Sequence, residues 1–178
     1  MNYEELKAEG LEIGFSQVAP LKVERIALQP EVRQMCSANQ CGQYDRNWSC
    51  PPACGSLEEC RAQVSAYREG ILVQTVGQLE DSFDIEGMAE LEKRHKAQFV
   101  RFHDVLLTRY PGLLALGAGC CTRCQKCTYP DAPCRMPEKR ISSMEAYGML
   151  VMQVCKENGL DYYYGPNTLA YTGCFLLK

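Results

Sequence analysis

The sequence predicts an α/β fold, a single-domain sandwich on a small mixed sheet spanning residues 1–178. Three observations predict it. Helical and strand-like patterns alternate along the chain. No linker, repeat or low-complexity tract divides it. Two stretches, 36–60 and 120–134, are dense in cysteine and turn-forming residues, and they read as loops set between the regular elements.

Residues 2–9 read as a short helix. Residues 30–36 read as another, with Pro30 in the first turn, where a missing amide is tolerated. From Cys36 to Cys54 the chain carries Gly42, Pro51 and Pro52, and is a loop. A helix opens at "SLEEC". Ser56 and Glu59 make an S-x-x-E capping box, Cys60, Val64 and Tyr67 share one face, and Gly70 is the expected stop. "ILVQTV", 71–76, is apolar and β-branched, a buried strand. Residues 84–110 then hold the longest helical pattern, with Met88, Leu91, His95, Phe99, Phe102 and Leu106 as its inner stripe. "LLALGAG" is a second strand, which completes a strand–helix–strand unit. "SSMEAYGMLVMQVCKENG" reads as a helix with a second capping box at Ser142 and Glu145 and a stop at Gly159. "DYYYGPNTLAYTGCFLL" reads as a hairpin turning at Gly165, Pro166 and Asn167.

Composition narrows the function. Hydrophobic residues are 46% and charged residues 23%, which is the soluble globular class. The net charge of −3 excludes a general nucleic-acid binder, which would carry a basic surplus. No apolar run approaches the ~20 residues that cross a bilayer. The start, "MNYEELKAEG", is acidic and lacks the basic-then-apolar order of a signal peptide. The expected compartment is therefore cytoplasmic, where thiols stay reduced. Twelve cysteines there need a reason other than disulfides.

The tightest group is "CCTRCQKCTYPDAPC". Cys121, Cys124 and Cys127 recur every third residue, and Cys134 follows a turn built on Pro130 and Pro133. A disulfide gains nothing from a third thiol so near. Zinc sites collect thiols as C-x2-C pairs from two separate loops. A [4Fe–4S] cube offers several irons at neighbouring corners, so one tight loop can supply three thiolates, and the bacterial ferredoxin run begins this way. The expected cofactor is a [4Fe–4S] cluster, with zinc as the alternative. The other group, Cys36, Cys41, Cys50, Cys54 and Cys60, is spaced irregularly. Its Cys50-Pro51 pair echoes the C-P of cluster loops, and it is the expected seat of a second cluster. A mixture of buried structural cysteines is the plainer reading of this group. Cys54 and Cys60 compete for one ligand position. Pro51 and Pro52 are expected to extend the chain and carry Cys54 away from Cys50. Cys60 lies one turn into a capped helix, near the positive end of its dipole, which favours a thiolate.

Together "CGQYDRNWSCPP", "GSLEEC", the C-x2-C-x2-C run, "TYPDAPCRMPEK" and "SMEAYG" resemble the uncharacterised family of predicted metal-binding proteins found mainly in anaerobic bacteria and archaea. The likeness covers about residues 30–178. It implies two cysteine-bound metal centres and no settled reaction. Carried over residue by residue, it implies Cys36, Cys41, Cys50 and Cys60 at one centre and Cys121, Cys124, Cys127 and Cys134 at the other. Cys54 and Cys120 stand where the pattern has other residues.

Further residues divide between bland and functional roles. Trp48, the single tryptophan, is either a shield for a cluster or an ordinary core residue. His95 and His103 read first as satisfied core or boundary histidines, and second as ligands or proton donors. Arg123, Lys126, Arg135, Lys139 and Arg140 surround the second cysteine loop. They form either a solvated face that offsets a cluster's negative charge or a dock for an acidic electron donor. Tyr162, Tyr163 and Tyr164 read as strand filler, and Cys155 and Cys174 as small core residues. No nucleotide-binding loop is present.

The expected function is electron transfer through two [4Fe–4S] clusters to a redox partner protein or cofactor, with no nucleic acid and no membrane involved. One alternative is an enzyme with an open iron, suited to a reductase, lyase or desulfidase. The other is a zinc-stabilised interaction module. The loop 119–137 has few apolar residues, so metal is expected to supply its folding energy.

Overall fold

The computed structural model describes residues 2–178. Its centre is the expected buried strand, β2 (Glu69–Gln78), whose apolar run is buried on both faces. β2 lies between β1 (Gln17–Lys22) and β5 (Thr168–Leu177), antiparallel to both. β5 in turn pairs antiparallel with β3 (Leu114–Gly117), and β3 pairs parallel with the two-residue β4 (Ser142–Ser143). The order is β1-β2-β5-β3-β4, a mixed five-stranded sheet.

The long helical pattern forms α4 (Ile85–Arg109), with Asp84 as its N-cap accepting from the Gly87 amide. α4 carries the chain from β2 to β3, which run parallel to each other. The expected strand–helix–strand unit therefore exists, but β5 is wedged between its two strands. On this side Phe99, Phe102 and Leu106 pack with Ile71, Val73, Phe175 and Leu177 and with Leu6 of α1 (Tyr3–Ile13). The opposite face presents Leu72, Leu114, Leu116, Cys174 and Leu176. It is covered by α3 (Leu57–Ser65) through Cys60 and Val64, and by α5 (Val151–Glu157) through Val154 and Cys155. Alternation along β2 and β5 feeds both cores, giving helix, sheet and helix layers. α2 (Pro30–Ser37) starts at proline as its sequence requires.

Three sequence-based expectations differ from the structure. Gly70 does not stop α3, which ends at Ser65; Gly70 is inside β2, opposite Leu176. Ser142 and Glu145 make no capping box. Ser142 and Ser143 are drawn into the sheet beside Leu116 and Gly117, and tertiary pairing overrides the local signal. A 3-10 turn over 145–147 follows, and Gly148 closes it at φ 81° before α5 begins. The left-handed backbone there lets the Gly148 carbonyl accept from the Gln29 amide at 2.7 Å. The C-terminal stretch is not a hairpin. β5 is one continuous strand with partners on both edges, so residues 161–164 have no place in the sheet, and Tyr162, Tyr163 and Tyr164 lie in the loop before it. Cys155 and Cys174 are fully buried core residues, as expected.

Candidate metal centre

Both cysteine groups sit at one end of the molecule, and they touch. Ser49, next to Cys50, accepts from the Cys121 amide at 2.9 Å. The Ser49 hydroxyl donates to Asn47 Oδ1 at 2.6 Å, and the Ser49 amide donates to the same oxygen. Asn47 thus fixes the backbone that places Cys50, and Ser49 passes that order on to the second loop.

The second loop brings Cys121, Cys124, Cys127 and Cys134 around one small cavity, closed on the other side by Asn47, Trp48 and Ser49. Trp48 belongs here and not to either apolar core. Its Nε1 donates to the Ala132 carbonyl at 3.0 Å, and its ring meets Tyr129 edge-on at 5.0 Å. The Tyr129 hydroxyl donates to Asp45 of the first loop. Arg135 donates to the Lys126 carbonyl at 2.8 Å, and Thr128 to the Pro133 carbonyl at 2.8 Å.

Arg123, between Cys121 and Cys124, ties this loop to α4. It pairs with Asp104 at 2.9 Å, donates to the Lys139 carbonyl at 3.1 Å and donates to His103 Nδ1. Lys139 lies 3.3 Å from the same carboxylate. Burial pushes the Asp104 carboxyl up, but its bonds from Arg123 outweigh that and hold it below the usual range. His103 is lowered to about 4, first by burial and then by the Arg123 charge. Its sequence has few apolar residues, but a network of hydrogen bonds also orders this loop, alongside whatever a metal contributes. The basic residues divide too. Arg123 and Lys139 are paired with Asp104, while Lys126 and Arg135 are exposed.

In the first group Cys36 lies in the last turn of α2, Cys41 is exposed, and Cys50, Cys54 and Cys60 are buried. Pro51 and Pro52 do not extend the chain. They sit in a turn in which the Cys54 amide donates back to the Cys50 carbonyl at 3.0 Å, so Cys54 stays close to Cys50. The Ser56–Glu59 capping box is present and starts α3. Cys60 lies one turn in and is 1% exposed, inward as expected. It is next to Cys54. The closeness of Cys54 lowers Cys60, against its burial and with help from Arg33, and the same closeness and burial raise Cys54, whose thiol donates to the Ala146 carbonyl at 3.8 Å. Burial also raises Cys50 and Cys36.

Arg33 is the residue the sequence reading missed. Its guanidinium donates to the Ala146 carbonyl at 2.6 Å, to the Gly55 carbonyl, and to Cys60 Sγ at 3.7 Å. Helical spacing was the available signal, since Arg33 and Cys36 are three residues apart on one face of α2. Cys120 lies within electrostatic reach of Cys41 and Cys50 as well as of its neighbour Cys121.

Among the described residues no three His, Cys, Asp or Glu side chains converge closely enough to hold a metal ion as they stand. The donor set fits a metal in kind: thiols gathered on two adjoining loops, four of them around one cavity. Among the described residues no helix is long and apolar enough to cross a membrane.

A family model described as "Predicted metal-binding protein" (DUF2284) matches residues 19–177. No curated protein and no solved structure matches the chain.

Proposed function

The chain belongs to this predicted metal-binding protein family, and from that premise we propose that it is a cytoplasmic iron–sulfur protein that passes single electrons to a partner protein or cofactor. Cys121, Cys124, Cys127 and Cys134 hold one [4Fe–4S] cluster. Cys36, Cys41, Cys50 and Cys60 hold a second, with Cys54 beside Cys60. The observation that carries this reading is the single cavity lined by all four cysteines of the C-x2-C-x2-C-x6-C loop. Such clusters supply one-electron chemistry, their potential set by hydrogen bonds and exposure. The chain's own residues set both. Trp48 and Tyr129 cover the second loop, Asn47 and Ser49 stiffen its wall, and Arg33 places positive charge beside Cys60.

Anaerobic purification with iron and sulfide counts tests it. Two cubes give about eight of each per chain, and reduction gives an electron paramagnetic resonance signal. Stoichiometric zinc without sulfide rejects the reading. About four of each leaves a single cluster.

A further inference from the structure

His95 is the one buried histidine nitrogen without a partner among the described residues, and the hydrogen bonds around it fix which nitrogen that is. Gln98 Nε2 donates to the Gly14 carbonyl at 2.9 Å, which sets the orientation of its amide. Gln98 Oε1 therefore accepts, and it accepts from Thr75 Oγ1 at 2.8 Å. A hydroxyl has one proton to give. Thr75 has given it to Gln98, so at its 2.9 Å contact with His95 Nδ1 it accepts. Nδ1 carries the proton and Nε2 is a bare lone pair. That Nε2 is buried with no hydrogen-bond partner. The residue is 0% exposed, and Phe15, Phe99 and Tyr171 pack around the ring, each with centroids within 6.0 Å.

The free edge has somewhere to point. Thr75 holds Nδ1 toward β2, and Nε2 faces away from it. His95 lines a cavity of about 10 Å³ between α4 and the turn after β3, and the other walls include Gly117, Cys120 and Cys121. That volume is room for about one water or one ion. Lys96, the next residue on α4, lies close against this turn. A side chain at Gly119 would meet its Nζ at 3.2 Å.

A neutral imidazole whose Nδ1 proton is held by an oxygen and whose Nε2 is free is the orientation that metal-bound histidines adopt. Iron and zinc both accept mixed nitrogen and sulfur donors. We propose that His95 is a metal-ligating residue, its Nε2 supplying an imidazole nitrogen to a single ion that Cys120 supplies with sulfur, beside the cluster loop and separate from it. This rests on the metal-binding reading above and deepens it. It gives a role to Cys120, one of the four cysteines outside the eight, and adds a mixed imidazole–thiolate site beside the second loop.

The test is X-ray absorption at the edge of whatever metal the full chain holds after anaerobic purification, with metal content measured on the same sample. The expected result is outer-shell imidazole scattering beside the sulfur shell. The chain has two histidines, so the source can be assigned. The imidazole signal disappears in His95→Gln and persists in His103→Gln. If His95→Gln does not fold, Thr75→Val keeps the ring but frees its Nδ1, and metal affinity falls about 10- to 100-fold. A metal bound by sulfur alone in the unmodified protein overturns the inference and leaves metal binding intact, with a buried water at Nε2. Imidazole scattering that follows His103 also overturns it. A chain with no metal at all overturns both this inference and the reading on which it rests.

Discussion

Arg123→Met separates the protein's own contribution to the second cysteine loop from that of any metal. The arginine side chain is 7% exposed, and the substitution keeps its apolar stem while deleting its donors. It removes the pair with Asp104 at 2.9 Å, the bond to the Lys139 carbonyl at 3.1 Å and the bond to His103. Hydrogen bonds to charged groups contribute about 1.5–3 kcal/mol each, and a partner left buried and unpaired adds to the loss. Asp104 is 42% exposed, so water recovers much of its side and the pair is discounted toward surface values. His103 is 1% exposed and has no such recourse. Together these give a loss of about 2–3 kcal/mol, which for a chain of this size lowers Tm by roughly 5–10 °C. Denaturant unfolding followed by the fluorescence of Trp48 reads it directly, because the only tryptophan packs against this loop from the first one. In a double-mutant cycle with Asp104→Asn the coupling should be about 1 kcal/mol. A loss below about 0.5 kcal/mol with no coupling would show that the network is incidental to the loop's order.

Three other outcomes are expected. The His103 pKa is lowered to about 4 from 6.5, so the unfolded chain takes up its proton first as pH falls. The stability due to this group is whole above pH 6.5 and drops between 6.5 and about 4, by about 3 kcal/mol, and His103→Gln should make that part of the profile shallower, His95, lowered likewise, keeping its own share. Gly173→Ala should cost about 2 kcal/mol or more by overpacking, because its new Cβ would lie 2.4 Å from the Phe99 ring and 3.0 Å from the Leu116 carbonyl; an unchanged melting curve would mean that α4 shifts freely on β5. Cys60→Ala should lower the iron count while Cys54→Ala keeps it, since the surroundings favour ionisation of Cys60 and oppose that of Cys54; iron loss from Cys54→Ala alone reverses that assignment.

Much of the fold was legible because local and tertiary signals agreed. The Ser56–Glu59 box, the β-branched run of β2 and the 3.6-residue stripe of α4 each describe an element whose neighbours want the same thing. The failures share a cause. Ser142 carried a helix-start signal, but it lies where β3 needs a partner strand. "DYYYG" looked like half of a hairpin, but β5 had two longer partners already. At the site, the cysteine spacing identified both loops. It could not reveal that Pro51 and Pro52 turn the chain back, or that Ser49 joins the loops, because both depend on contacts distant in sequence or on a turn that proline permits without requiring. The His95 lone pair was hidden for the same reason. It follows only from Gly14, Thr75 and Gln98 together.

The distribution of positive charge has a consequence for the two cysteine groups. The sequence draws attention to the basic residues around the second loop, yet the best-placed of them, Arg123, is neutralised by Asp104. Arg33 has no carboxylate partner among the described residues; its donors go to the Gly55 and Ala146 carbonyls and to Cys60 Sγ. An arginine held by neutral acceptors keeps its full charge, and burial of its surroundings makes that charge act more strongly on the nearest thiol. Cys60 adds to this the first turn of α3, where the helix dipole also favours an anion. Within the first group, irregular in spacing and harder to read, Cys60 is therefore the one thiol whose surroundings favour a thiolate, while burial raises Cys36 and Cys50. The second group has its order built in through backbone and side-chain bonds, and its cysteines remain partly open to solvent. Replacing Arg33 should accordingly disturb the ionisation of Cys60 more than the architecture of the loops, whereas replacing Arg123 should do the reverse.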